Sequence, residues 1–435
     1  MKRLRTFLLL LLTSSLLQGC GNHNSSSGLS QNTVRLVNGS SNALDMATGG
    51  MTLASGVAYG TASGNVTLNT GSYVIELEDT GTGIPSAQIN FSFSSGAPST
   101  LLAFTSSHNL QIAQLVDGEP APAPGDGKIR IADLSADAGN VDVYVSTDNN
   151  PADDVYVPGA VSPALSGANR LVQIFSGMSS YFEVRANTYH IWVTEAGDKT
   201  DLRLDIPSIT IDDQQISTLA LTSTAGGALV DGLLVNQQGA VAAQQNTNAR
   251  MRIAANTTTD LTSATAANLS LLGGGSPFNS DVGSYVLVPA GSTPIALSGG
   301  AGIGSCSSPV TTLHGKDLTL LVMAATCTVL TDDNTRPVGA LAKLRLVNGV
   351  NGGSNISLED NSVLIASDVA LGEASIPTTN GNQGIISTGS LSNLTVSPTT
   401  PAFSAANVAL LSQGVYSLFM LGSSSAATGV LIHDH

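Results

Sequence analysis

The chain has 435 residues, of which 42% are hydrophobic, 11% charged and 4% aromatic, with a net charge of −15 at pH 7. That is length for several domains and apolar matter for real cores, and recurring Val/Leu/Ile clusters exclude disorder over most of it. The acidic balance repels phosphate backbones, so no nucleic-acid partner is expected.

Residues 1–19 read as a leader. Lys2, Arg3 and Arg5 form a basic start, and Phe7 to Leu12 with Leu16 and Leu17 form an apolar core too short for a stable membrane span. Leu17-Gln18-Gly19-Cys20 follows and resembles the bacterial lipobox, with Leu three residues before Cys and a small residue directly before it. The resemblance implies cleavage before Cys20 and fatty acylation (diacylglycerol and palmitate) of that residue; an ordinary signal peptide with an incidental Cys is the alternative. Several acyl chains anchor a protein stably where one alone is marginal. Residues 20–32 are then the lipidated Cys and a polar, flexible tether. Gly21, where inner-membrane lipoproteins often carry Asp, implies the outer membrane if the cell is Gram-negative. Without the leader, 13 basic residues face 31 acidic ones, a balance of −18 suited to solubility outside the cytoplasm.

Beyond the tether one pattern recurs four times. Val34-Arg35-Leu36-Val37-Asn38, Ile129-Arg130-Ile131-Ala132-Asp133, Met251-Arg252-Ile253-Ala254-Ala255 and Leu344-Arg345-Leu346-Val347-Asn348 are alternating segments with Arg at the second place. Each opens a unit: 33–126, 127–248, 249–341 and 342–435. Unit one predicts strands at Val34–Val37, Val66–Leu68, Tyr73–Leu77, Ile89–Phe93 and Leu101–Phe104. It ends at the Pro-rich stretch Glu119 to Gly125. Unit two predicts strands at Val141–Val145, Tyr181–Arg185, Tyr189–Thr194, Ile209–Ile211 and Thr218–Thr222, then a Gln/Asn/Ala-rich linker or short helix from Asn236 to Asn248. Each unit closes on a strongly apolar strand, such as Leu318 to Val322 and Tyr416 to Met420. In unit four the stretch Pro377–Ala406 is rich in Thr, Ser, Asn, Gly and Pro and reads as long loops. Repeats of this length are beads with their own cores rather than a solenoid, and many short strands per bead predict β-sandwiches.

The opening Ile129-Arg130-Ile131-Ala132-Asp133-Leu134-Ser135-Ala136-Asp137, then Val141-Asp142-Val143-Tyr144-Val145 and the turn Asn187-Thr188-Tyr189, resembles the domain of unknown function family 4397. The likeness is good in unit two, loose in units one and four, and in unit three limited to Arg252 and a turn at Gly291. Asp133 stands where the family usually has His, and Ala138 where it has Pro. The resemblance implies an all-β chain of tandem Ig-like antiparallel β-sandwiches on an exported bacterial protein, with no known chemistry.

Candidate sites are few. Cys306 and Cys327 are the only cysteines besides Cys20, and in an oxidising compartment they predict a disulfide. Arg35, Arg130, Arg252 and Arg345 read as solvent-side strand charges that discourage edge pairing, or as a ladder of anion sites. Asp153-Asp154, Asp212-Asp213 and Asp332-Asp333 read as solvated turn acids, with calcium as the alternative. His433-Asp434-His435 reads as a frayed terminus with two imidazoles on one face. Trp192, Tyr181 and Tyr189 read as core, or as a stacking platform for sugar. No G-x-S-x-G, H-E-x-x-H or Walker loop is present, so neither enzyme nor cofactor is expected. The expected role is a lipid-anchored, non-catalytic structural, adhesive or binding module of the cell envelope, with the membrane and a surface protein or glycan as partners. The alternatives are a carbohydrate-binding or carbohydrate-active protein and a calcium-dependent adhesin.

Overall fold

The opening strands run Gln31–Gly39, Asp126–Asp133, Asn248–Asn256 and Leu341–Asn348. Both faces of each are largely buried, which explains why the sequence there is nearly continuous in apolar residues. In the computed structural model, which describes residues 30–435 apart from 95, 148–162, 175–176, 273–277, 301–305, 307, 325 and 377–383, every opening strand lies at the centre of a sheet. Its neighbour there is the unit's closing strand: Ser99–Ser106, Ile216–Ser223, Asp317–Met323 or Val415–Ser423. This pairing is parallel, against the expectation of purely antiparallel sheets. A parallel pair needs a long crossover, and the crossover is the unit's second sheet. The register is the same in all four: Arg35 faces Thr100, Arg130 faces Thr218, Arg252 faces Thr319 and Arg345 faces Ser417. A last strand then returns antiparallel along the closing strand, at Asn109–Val116, Val230–Asn236, Cys327–Asp332 and Ala426–His433.

The second sheets are antiparallel. Unit one builds one from Leu44–Thr48, Met51–Val57, Gly71–Asp79 and Pro85–Phe93. Unit two uses Val141–Ser146, Asn169–Ile174, Asn187–Glu195 and Asp198–Ile211. Unit four uses Ile356–Asp360, Val363–Val369, Ser392–Ser397 and Phe403–Val408. Unit three splits this layer into a sheet of Leu261–Ala266, Leu269–Ser270 and Ile295–Gly299 and a pair of Gly291–Thr293 with Val310–Thr312. The chain is all-β, and each unit is a sandwich with its own core between its sheets.

Two expectations about local structure change. The segment after Asn236 holds the strand Val241–Gln244, an edge on Val230–Asn236, so sheet pairing overrides its weak local preference. The loops foreseen between Pro377 and Ala406 contain the strands Ile385–Ser387, Ser392–Ser397 and the start of Phe403–Val408. Ser392, Leu394 and Val396 point inward while Asn393, Thr395 and Ser397 point out, so polar composition there marks an outer face rather than a loop.

The sequence leaves open whether the four units pack together, and in the structure they do. The outer faces of the mixed sheets pack in pairs. Val37, Leu102 and Leu115 of unit one meet Ala132, Ala220, Leu233 and Val235 of unit two. Ala254, Leu321 and Met323 of unit three meet Val347, Phe419 and Leu421 of unit four. Units two and three touch backbone to backbone: Gly226 N donates to Gly315 O at 2.7 Å and Asn334 N to Gly226 O at 3.0 Å. Gly227, at φ +96°, sits where a Cβ would lie 2.4 Å from the Asn334 carbonyl carbon, so only glycine permits this approach.

Candidate functional site

The repeated arginines are the residues around which the units meet. Alternation puts each on the outer face of its mixed sheet, and that face is covered by the neighbouring unit, so the solvent-side reading is overturned. Arg35, Arg252 and Arg345 are buried and Arg130 is half-buried. Each Nε donates across the parallel pair to a hydroxyl: Thr100 at 2.9 Å, Thr218 at 2.9 Å, Thr319 at 2.9 Å and Ser417 at 2.7 Å. This is why the closing strand carries Thr or Ser at that place in otherwise apolar surroundings.

The terminal nitrogens reach into the partner unit. Arg252 pairs with Asp434 of unit four, and Arg345 Nη1 donates to Asp332 Oδ1 of unit three at 2.6 Å. Asp332 Oδ2 also accepts from Thr319 and Tyr285, and lies 3.7 Å from Arg252 Nη2. The Tyr285 ring lies beneath two guanidiniums, 4.5 Å from Arg250 and 4.4 Å from Arg252. Arg250 in turn makes a fork with Asp317, at 2.9 and 2.6 Å, and Asn334 Nδ2 donates to the same carboxylate at 2.7 Å. Burial opposes the charged form of Asp332, but Arg345 and Arg252 outweigh it and hold its carboxyl below the usual range. Burial likewise works against Arg250 and Arg345, and Asp317 and Asp332 respectively raise them instead.

The segment Asp332–Arg336 contacts all four units. Ser107 Oγ of unit one donates to Arg336 O at 2.9 Å, Arg336 N donates to Asp137 Oδ1 of unit two at 2.9 Å, and Lys343 Nζ of unit four lies 3.0 Å from Asp333 Oδ1. Asp332 and Asp333 are therefore not solvated turn acids. The end of the chain is not frayed either: Asp434 accepts from Ser417 and pairs with Arg252, His433 stacks on Tyr416 at 4.7 Å, and buried His435 donates from Nε2 to Asp137 O. Burial, with Arg203, Arg336 and Arg250 nearby, pushes the His435 imidazole well below its usual pKa.

The other expected residues fall apart from this junction. Cys20 and the pair Asp153-Asp154 lie outside the described residues. Cys306 and Cys327 are joined as a disulfide, with Cα atoms 4.8 Å apart, against the core of unit three. Asp213 accepts from Gly125 N at 2.6 Å, beside Asp212. Trp192, Tyr181 and Tyr189 do not form one platform. Tyr189 is in the inner core, and Trp192 is on the opposite face of the same sheet, buried with Tyr144 and Leu165 and stacked on His190 at 3.7 Å. Tyr181 lies under Arg130, whose guanidinium carbon is 4.6 Å from its ring centroid. Among the described residues, no group of three His, Cys, Asp or Glu side chains is placed to hold a metal ion.

Two features went unforeseen. Asp133 is buried; Oδ1 accepts from Ser135 N at 3.1 Å, while Oδ2 has no hydrogen-bond partner among the described residues. Burial raises its pKa to about 7. In the same place Asn38 donates to Val57 O at 2.8 Å and Asn348 donates to Val369 O at 2.9 Å. The second feature is a polar cleft of about 510 Å³ where units two, three and four meet, lined by Ser135, Gly139, Asn140, Glu195, Arg336 and Gln413 among others. Neither follows from a local motif; the Asn/Asp exchange at the end of the opening strands was the one signal available.

Residues 32–144 match the family model described as domain of unknown function, DUF4397. This stretch is similar to a DUF4397 domain. The match spans unit one and reaches into the strand Val141–Ser146 of unit two, so the motif at Ile129–Tyr144 is its final part. No curated protein matches the chain. Among solved structures, the CBM26 module of Eubacterium rectale Amy13K with maltoheptaose is 14% identical, covering 45% of this chain and 92% of its own, at a TM-score of 0.15. The Bacillus anthracis TIE protein is 9% identical, covering 90% and 68%, also at 0.15. A product complex of the pneumococcal glycogen-degrading virulence factor SpuA is 8% identical, covering 86% and 37%, at 0.16. Likenesses this low transfer no role to this chain.

Proposed function

We propose that this protein is a lipid-anchored, non-catalytic envelope module that presents four docked sandwiches as one rigid body. The observation that carries the reading is the burial of charged side chains between units. A buried arginine is tolerated only when its partners are fixed around it, and here Arg252 and Arg345 each take their carboxylate from the neighbouring unit. Such an interface holds orientation, which a presenting or spacing surface needs and a flexible string would not provide. The anchor rests on the leader and on Leu17-Gln18-Gly19-Cys20. Metabolic labelling with a palmitate analogue tests it: label is expected on the wild-type chain and absent from Cys20→Ala. Equal labelling of both would contradict the anchor.

A further inference from the structure

The polar cleft at the meeting of units two, three and four holds a cation with an unused hydrogen-bonding fork. Arg336 is fixed by its own backbone and by Nε, which donate to Asp137 Oδ1 at 2.9 Å and to Asp137 O at 3.3 Å. Its two terminal nitrogens make no hydrogen bond or ion pair with any described residue. Gly139, at φ +73°, makes room for the guanidinium: a Cβ there would stand 2.9 Å from Nη2. So the side chain is held by its root while its fork faces the cleft, an arrangement suited to a planar oxyanion taken in two parallel bonds.

The rest of the lining narrows the ligand. Glu195 is half-exposed, 3.5 Å from Arg203 and close enough to act on the Arg336 charge; it repels an anion in proportion to its charge, which disfavours a phosphate dianion relative to a monocarboxylate. Asn140 and Gln413 are exposed amides, each able to donate and accept. Among the described residues no aromatic side chain lines the cleft, so a flat or apolar ligand gains little there. The volume of about 510 Å³ is within the range of small-molecule sites.

We infer that the cleft binds a small sugar acid, with its single carboxylate on Arg336 and its hydroxyls on Asn140, Gln413 and Glu195. This rests on the chain being a binding surface and adds the ligand class. Binding does not depend on the acyl anchor, so Cys20→Ala protein should bind equally, and failure of the anchor would leave this site untouched.

The test is calorimetric titration of the detergent-purified full chain with the monocarboxylate disaccharide galacturonosyl-galactose, N-acetylneuraminate, the neutral disaccharide galactobiose and acetate. At least one sugar acid should bind about 10-fold or more tightly than galactobiose and acetate, because one charge-assisted fork is worth about that ratio. Arg336→Gln should weaken that binding about 10-fold or more with an unchanged near-UV spectrum. Gln413→Ala, from the other wall, should weaken it a few-fold and serves if the first variant does not fold. The inference is overturned by no binding of either sugar acid, by equal binding of galactobiose or acetate, or by full affinity in the folded variants.

Discussion

The pair formed by units one and two and the pair formed by units three and four use the same face and the same register, yet they treat charge differently. Four residues hold one equivalent place just after or at the end of the last strand: Asp117, Gln237, Asp332 and Asp434. In units three and four both are carboxylates and both meet an arginine from the partner unit. In units one and two one of them is Gln237, whose amide instead binds Glu119 N at 3.0 Å and Glu119 O at 2.9 Å. Arg35 therefore turns to backbone carbonyls of unit two, donating to Asn236 O at 2.7 Å and also to Gly239 O. Asp117 keeps Thr100 Oγ1 at 2.8 Å but makes no direct ion pair with a described residue, and burial raises its pKa where that of Asp332 is lowered. The apolar contact is kept in both pairs, while the pKa of the buried carboxylate at this place is raised by burial in the first and lowered by arginine in the second.

The largest effect is expected at the doubly charged interface. Asp332→Ala leaves Arg345 without its carboxylate and Arg252 with Asp434 alone, and should cost about 3–5 kcal/mol, read as a shifted denaturation midpoint for units three and four. Because the folded pKa of Asp332 lies below its usual value of 3.8, its contribution is present above about pH 4 and lost as pH falls through the folded value. Wild type should therefore lose this stability in acid, and the variant should not.

Asp133 supplies the opposite sign at the mouth of unit two. Its folded pKa of about 7 exceeds the usual 3.8, so its stabilisation is complete below about pH 4 and is lost as pH rises through about 7. Asp133→Asn should supply the donor that Asn38 and Asn348 provide, stabilise unit two by up to ~4 kcal/mol at pH 8, and flatten the dependence between pH 4 and 8. A pH titration of melting temperature for both chains checks this.

Reduction of the Cys306–Cys327 disulfide, which spans 21 residues, should cost about 3 kcal/mol and act on unit three. The smallest change is expected from Asp117→Asn: within about 1 kcal/mol at neutral pH, with any gain growing as pH rises. A loss like that of Asp332→Ala would erase the contrast between the two interfaces.

The sequence carried the repeat and the sandwich class because alternation and turn residues are local. Val34 and Leu36 declare one face, and Arg35 the other. What covers the second face is not local, so Arg252 read as a solvent-side charge although Asp434, 182 residues away, closes over it. Trp192 was ambiguous for the same reason, since its cover includes Leu165 from the α-helix Pro163–Gly167. Short strands such as Leu44–Thr48 were missed because five residues with Asp45 among them give too brief a period. The cleft at Arg336 combines residues from units two, three and four, an arrangement no linear spacing encodes.

The most direct test of the docked arrangement is a double-mutant cycle between Arg252 in unit three and Asp434 in unit four. Arg252→Ala, Asp434→Ala and the double variant are compared by denaturant unfolding. A coupling energy of about 1.5 kcal/mol or more is expected for a buried pair in one network, and additivity within about 0.5 kcal/mol would contradict units locked by shared buried charge.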